Sequence, residues 1–295
     1  MCATFKVRIM SRYGGAAANI VEINSENRIG TTLSNFSNDK RLKNLESILP
    51  DQSCVAFIVG RAGSGKSTLL QNLFCVKNRA YHKRFDRVYM WGNSFKSAKR
   101  NPFKKVTKTG GMFEELTAAN FTEVLSQIAN TGDRVALILD DVISEFQGNV
   151  PLVKAVATAC RNRRHLSNGE QVIKFDAVRH ARFPHYNRPA LVKKKRITKG
   201  VVYIFITSQS YRAIPKQLRR AATFYCLFAL NQLERFEIWE EVGNVSRATF
   251  FAIVRAALKH KYDLLSVDLT VSDPQECYAR NWNRLQWTEM PDDYR

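Results

Sequence analysis

The amino-acid sequence predicts an α/β fold: a mostly parallel central sheet with helices packed against it. Three observations carry that expectation. Residues 54–59 form an apolar, β-branched run that leads through the glycine-rich turn 60–65 into residues 66–74, where apolar side chains recur at helical spacing. Residues 135–139 are apolar without interruption, as in a strand buried on both faces of a parallel sheet, and end in the paired carboxylates Asp140 and Asp141. Strand-like and helix-like segments then alternate along the chain, the pattern of a parallel sheet with crossover helices.

The elements follow in order. Residues 1–50 mix Asn, Ser, Gly and charge with few apolar blocks, and are expected to be an arm or extension with a short helix over 41–49. The main domain is expected over 51–295. Residues 87–91 read as its second strand. Residues 92–111 read as a basic loop carrying Lys96, Lys99, Arg100, Lys104, Lys105 and Lys108. A helix over 120–130 sets Phe121, Val124, Leu125 and Ile128 on one face and ends at Thr131-Gly132-Asp133. After the strand that reaches Asp140 comes a helix over 152–163 with a basic end: Arg161, Arg163, Arg164 and His165. Such residues can equally serve to offset the helix dipole.

Residues 167–200 interrupt this rhythm. Nine Lys or Arg stand there against Glu170 and Asp176, a local polycation, and a structureless stretch so long is uncommon inside a domain. Three readings of this insert stay open: a DNA contact, a lineage insertion, or translated non-coding sequence. The sheet resumes over 201–209. A short helix over 214–222, a strand over 223–230 and helices over 234–242 and 249–259 come next, with Ser246 as N-cap of the last. A final strand over 262–269 leads to a covering tail from Asp273 that carries Trp282 and Trp287.

The chemistry concentrates at three strand ends. Residues 60–67 fit G-x-x-x-x-G-K-[ST], the phosphate-binding loop of nucleotide triphosphatases. Gly60, Arg61, Ala62, Gly63, Ser64 and Gly65 would close backbone N–H groups around phosphate oxygens, and the following helix N-terminus adds its positive dipole end. Lys66 would reach the β- and γ-phosphates, Ser67 would offer its hydroxyl to Mg²⁺, and Thr68 would complete the loop. Asp140 is expected to hold Mg²⁺ through its water shell, and Asp141 to orient or deprotonate the attacking water. Gln209, at the end of another apolar strand, is expected to sense the γ-phosphate through its amide. ATP and Mg²⁺ are the expected cofactors.

Composition sets the bounds. Lys and Arg number 46 against 26 acidic residues, a formal charge of +20 that favours a polyanionic partner, most often nucleic acid. Six cysteines are scattered without C-x-x-C pairs and read as reduced core residues of an intracellular protein. Lys6 and Arg8 interrupt the early apolar residues, which argues against a secretory signal, and the longest apolar runs are too short to cross a bilayer. A soluble protein without stable membrane insertion is expected.

The order of these motifs resembles one family. Gly60 to Ser67, the Trp91-Gly92 strand end, Leu139-Asp140-Asp141, Arg163-Arg164-His165-Leu166, Thr207-Ser208-Gln209 and Leu218-Arg219 before an apolar strand look like the viral DNA-packaging ATPases of the FtsK–HerA superfamily. Within it, the poxvirus-like branch of large DNA viruses of eukaryotes and related integrated elements is the most similar. The resemblance covers about 51–285, and the insert is its main departure. It implies a P-loop NTPase fold of the ASCE, RecA-like type, and a homo-oligomeric ring that pumps double-stranded DNA into a capsid. It also implies capsid or portal-vertex partners, and a place in the infected host's viral factory, cytoplasm or nucleus, or in the virion. A ring further implies an arginine acting on a neighbour's nucleotide, for which Arg164 is the first candidate, followed by Arg161 and Arg219.

Two other classes stay in view. A nucleoside or polynucleotide kinase uses the same loop, but the Asp140-Asp141 pair and Gln209 suit water activation better than acceptor phosphorylation. A nucleotide-dependent switch needs little turnover. The chain carries no guanine-reading N-K-x-D stretch.

Overall fold

The computed structural model describes residues 5–8, 19–22, 49–50, 52–77, 79–92, 101–172, 195–198 and 200–287. The expected helix before Pro50, Lys96, Lys99 and Arg100 of the basic loop, and residues 173–194 of the insert lie outside the described residues.

The strands are β1 (Phe5–Arg8), β2 (Asn19–Glu22), β3 (Val55–Val59), β4 (Arg87–Trp91), β5 (Gly111–Phe113), β6 (Arg134–Leu139), β7 (Gly169–Val172), β8 (Lys195–Thr198), β9 (Val201–Ser208), β10 (Phe224–Leu227), β11 (Leu265–Asp268), β12 (Tyr278–Arg280) and β13 (Asn283–Trp287). The helices are α1 (Lys66–Cys75), α2 (Ala118–Ile128), α3 (Val150–Asn162), α4 (Lys216–Arg219), α5 (Gln232–Val242), α6 (Arg247–Ala257) and α7 (Pro274–Cys277). Part of the basic loop is a 3₁₀ helix, Pro102–Thr109, with Asn101 capping it through the Phe103 N–H. Gly111–Phe113 then adds a short strand alongside β4.

Eleven strands form one sheet in the order β1-β2-β13-β12-β11-β10-β3-β9-β6-β4-β5. From β10 to β5 every pairing is parallel, and from β10 back to β1 every pairing is antiparallel. The parallel block explains the uninterrupted apolar runs. All five residues of β3 are buried, because helices cover both faces. Val55, Phe57 and Val59 face the core formed with α2, α3, α5 and α6, whereas Ala56 and Ile58 face the core formed with α1 and Phe103. Strand β9 lies between β3 and β6, so the carboxyl ends of three neighbouring strands carry Gly60, Gln209 and Asp140.

The two ends of the insert are not structureless. β7 and β8 pair antiparallel, with Gly169 opposite Thr198 and Val172 opposite Lys195. The base of this hairpin is pinned beside the amino end of β6, where the Gly132 N–H donates to the Ser167 carbonyl (2.6 Å) and the Ser167 hydroxyl to the Asp133 carbonyl (3.0 Å). That is the end of the sheet opposite the phosphate loop. Among the described residues no helix is long and apolar enough to cross a membrane. The five described cysteines are free, and burial pushes their thiols up, to about 12 for Cys75 and Cys160.

Candidate nucleotide site

The site begins where β3 ends. The backbone leaves Val59 through Gly60, whose N–H donates to the Ser208 carbonyl at the end of β9 (3.0 Å). Gly65 caps α1 with a left-handed backbone (φ 104°), a conformation that glycine adopts without the strain of a side chain. The Lys66 side chain folds back over this turn. Its ammonium donates to the carbonyls of Gly60 (2.6 Å) and Arg61 (3.1 Å). Burial lowers its pKa, while Asp141 and Asp140 act in the opposite direction, so both carboxylates lie within electrostatic reach of the ammonium.

The carboxylate pair is built from three strands. The Asp140 N–H donates to the Trp91 carbonyl at the end of β4 (2.8 Å). A β-carbon on the next residue, Gly92, would stand 2.3 Å from the Asp140 carbonyl oxygen, and its φ of 146° is equally hostile to a side chain. The Trp91-Gly92 strand end is therefore a steric condition for bringing Asp140 to its place. Asp140 is 1% exposed. The Thr207 hydroxyl donates to its Oδ1 (2.7 Å) and accepts from the Asp141 N–H (2.8 Å). One hydroxyl thus fixes both carboxylates relative to β9. Asp141 has a left-handed backbone (φ 55°), which turns its side chain out of the strand direction. There the Gln209 amide donates to both carboxylate oxygens, at 3.1 and 3.0 Å.

The loop beyond Gln209 is held by Glu234, a residue the sequence reading did not single out. Asn231 and Glu234 form a capping box at the start of α5. The buried Glu234 carboxylate also accepts from the Ser210 hydroxyl (2.7 Å) and the Tyr211 N–H (2.9 Å). The N-x-x-E spacing that signals such a box was visible in the sequence; its second use, as an anchor for the Gln209 loop, was not. Thr207 likewise stands in the sequence only as the start of the Thr207-Ser208-Gln209 strand end. Beside the phosphate loop, Arg235 of α5 is buried enough for desolvation to lower its pKa, and the positive charges of Arg255 and Arg61 lower it further. Arg255 and Arg61 are therefore within electrostatic reach of Arg235, a repulsion that an anion would relieve.

The expected trans arginines are placed differently. The Arg163 guanidinium donates to the Cys160 carbonyl (2.9 Å) and, through Nε, to the Ser53 carbonyl (3.3 Å), just before β3 begins. The basic end of α3, with exposed Arg161 and Arg164, therefore sits at the amino end of the sheet, away from the nucleotide site. Arg219 is engaged inside the fold. It pairs with Glu241 (3.0 Å), donates to the Tyr211 carbonyl (3.4 Å) and lies over the Tyr211 ring (4.8 Å). The structure brings together Lys66, Asp140, Asp141 and Gln209; it does not bring Arg164, Arg161 or Arg219 to them.

The available donors suit Mg²⁺. Ser67 on the first turn of α1 and Asp140 are hard oxygen ligands, and Mg²⁺ is typically held by one or two such groups together with substrate phosphates and water. Among the described residues no group of three or more His, Cys, Asp or Glu gathers as an all-protein metal cage.

The model of the NB-ARC domain, a P-loop NTPase family, matches residues 38–165. No curated protein matches the chain. Among solved structures, the genome packaging NTPase B204 of Sulfolobus turreted icosahedral virus 2 in complex with AMPPCP is 12% identical, with a TM-score of 0.47 over 77% of this chain and 96% of that one. The DNA-packaging ATPase B204 of Sulfolobus turreted icosahedral virus is 14% identical, with a TM-score of 0.49 over 78% and 98%. The pCW3 conjugation coupling protein TcpA with ATPγS is 12% identical, with a TM-score of 0.41 over 82% and 62%. The strand–loop–helix of residues 55–75, the paired carboxylates after β6 and the family model over that same region together give this chain the α/β fold of a P-loop NTPase.

Proposed function

We propose that this protein is an ATP-driven double-stranded DNA translocase that packages a viral genome, with residues 51–295 as its ATPase domain and residues 1–50 as an arm that adds β1 and β2 to the edge of its sheet. The observation that carries the reading is the clasp of Gln209 on Asp141 beside Lys66, at the ends of adjacent parallel strands. Lys66, released from the loop carbonyls, would neutralise charge on the β- and γ-phosphates, and Arg61 would add a second cation at the rim. Ser67 and Asp140 would hold Mg²⁺, which would neutralise charge developing on the phosphoryl oxygens.

Asp141 is placed to take a proton from the attacking water, but in the clasp both its oxygens already accept from Gln209. A terminal phosphoryl group competes for the same amide. Its arrival would turn Gln209 away and free Asp141 to act as base, so the water is activated only when the substrate is present. This use of a carboxylate and an amide favours transfer to water over transfer to a kinase acceptor.

The motor assignment draws further support from the charge of +20 and from the motif order described above. In a ring, Arg164 of one subunit would reach the nucleotide of the next, a contact worth about 10³–10⁵ in rate in other triphosphatases. Partners would be double-stranded DNA, further copies of the chain, and capsid or portal-vertex proteins, inside the infected host or in the virion. Phosphate release with and without double-stranded DNA tests the reading. DNA should stimulate hydrolysis, the stimulation should fall steeply with salt, and Lys66→Ala should lower the rate roughly 10²–10³-fold. A phosphorylated acceptor in place of free phosphate, or undiminished hydrolysis by Lys66→Ala, would refute it.

A further inference from the structure

We infer that the cavity of about 310 Å³ between α1 and the antiparallel strands is a purine-binding recess that prefers adenine to guanine, read by Asn72 and stacked by Tyr262. The inference rests on the triphosphate reading of the phosphate loop and adds to it the part of the nucleotide that is recognised.

The cavity is continuous with the loop. Ser64, Gly65 and Thr68 form one end, and Asn72 lies one turn beyond Thr68 on the same face of α1, about 6 Å further along the axis. A nucleotide whose phosphates lie on Gly65–Lys66 has its sugar and base directed along this face or away from it. The opposite wall is aromatic. A β-carbon placed on Gly65 would lie 3.6 Å from the Tyr262 ring and 3.7 Å from the Phe228 ring, so both rings flank the loop. Tyr262 remains 47% exposed beside the phosphate site, with the Lys261 ammonium over its ring, 5.1 Å from the centre, so a base stacking here would use the ring's accessible part.

The wall is rigid enough to preorganise a site. The Asp263 carboxylate accepts from the N–H groups of Lys259 (3.0 Å) and His260 (2.8 Å), from the Asn281 amide (2.9 Å) and from Arg280 (3.0 Å). The Asn281 amide oxygen in turn accepts from the Leu264 N–H (2.9 Å). The segment bearing Tyr262 is thereby tied to the turn bearing Trp282, the buried floor of the cavity.

Base choice follows from the polar groups that remain. Asn281 is committed to Asp263 and Leu264, whereas the Asn72 amide is engaged by none of the hydrogen bonds among the described residues. A carboxamide offers one donor and one acceptor, the complement of adenine N7 and its 6-amino group; guanine presents two acceptors on that edge and calls for two donors. None of the residues lining the cavity carries a carboxylate that would accept from guanine N1–H and its 2-amino group, and the Lys261 ammonium, held over the Tyr262 ring at 5.1 Å, is not among the lining groups.

Equilibrium binding of ATP, GTP and inorganic tripolyphosphate to the full chain tests this, the last being a probe without a base. ATP should bind about tenfold or more tightly than GTP, and Asn72→Ala should erase that preference. Tyr262→Ala should weaken ATP roughly tenfold to a hundredfold and leave tripolyphosphate unchanged, while Tyr262→Phe retains ATP affinity. Equal affinity for ATP and GTP, or variants that weaken tripolyphosphate as much as ATP, would overturn the recess while leaving the phosphate site intact. Failure of the unaltered protein to bind either ATP or tripolyphosphate would overturn both.

Discussion

The two halves of the sheet are built on opposite pairing rules and make different contributions to the site. In the parallel half, β3, β6 and β9 all point the same way, so every carboxyl end opens on one edge. Lys66, Asp140, Asp141 and Gln209 come from three crossings of the chain and meet there because the topology leaves them nowhere else to go. In the antiparallel half, successive strand ends alternate between edges, and only one turn in two reaches the nucleotide side. What reaches it is structural material: the Tyr262–Leu264 segment before β11 and the Asn281-Trp282 turn between β12 and β13. The parallel half concentrates chemistry, and the antiparallel half supplies a wall whose stiffness comes from hydrogen bonds converging on Asp263.

This division makes separable predictions. The largest effect belongs to the parallel half. Asp141→Asn keeps the size of the side chain but removes the proposed base, and should lower steady-state phosphate release by roughly 10²–10⁴-fold. Nucleotide affinity, measured by equilibrium binding, should stay near that of the unaltered protein, since Lys66 and the loop remain. A comparable fall in affinity would mean that Asp141 binds instead of reacting, and the division would fail on its catalytic side.

The next effect belongs to the wall. Burial alone would raise the Asp263 carboxyl, but the Asn281 amide, the His260 N–H and Arg280 outweigh it and hold the group below its ordinary 3.8. A depressed carboxylate contributes stability that is fully present above pH 3.8 and is lost as pH falls through the depressed folded-state value. Asp263→Ala should therefore lower stability near neutral pH by about 2–3 kcal/mol and remove that share of the acid dependence, both readable in denaturant titrations at several pH values. ATP should bind more weakly, whereas tripolyphosphate should not. Loss of tripolyphosphate binding would show that the wall and the phosphate edge are one cooperative unit.

The same division explains how much was legible beforehand. Strands β3, β6 and β9 announce themselves because a strand buried on both faces has little choice but to be apolar. The phosphate loop is legible because glycine conformations and a lysine at fixed spacing are local requirements. β5, β12 and β13 are three to five residues long, carry polar residues such as Asn283, Arg284 and Gln286, and owe their existence to the partner strand. The 3₁₀ helix over Pro102–Thr109 is hidden within a lysine-rich stretch, and only Asn101-Pro102 hinted at its start. Asn72, Tyr262 and Trp282 are separated by some two hundred residues, and no spacing rule links them. Arg219, the third-ranked arginine, could be recognised as a half-buried clamp only once Glu241 and Tyr211 were seen around it.

The smallest effect on the fold should come from the insert. Val172 and Lys195 are register partners at the end of the β7–β8 ladder, so residues 173–194 can be replaced by a two-residue Asn-Gly turn without changing the pairing of the strands that carry it. The hairpin base is fixed at the amino end of β6 through Ser167 and Gly132, across the sheet from Lys66. Folding stability should therefore move by less than about 0.5 kcal/mol, and hydrolysis without DNA should be unchanged. If the lysines and arginines of this segment grip the phosphate backbone, DNA stimulation of hydrolysis should fall and its salt dependence should flatten in proportion to the contacts removed. Undiminished stimulation would mark the insert as foreign to the motor and shift the search for the DNA-binding face to the lysines around Pro102–Thr109.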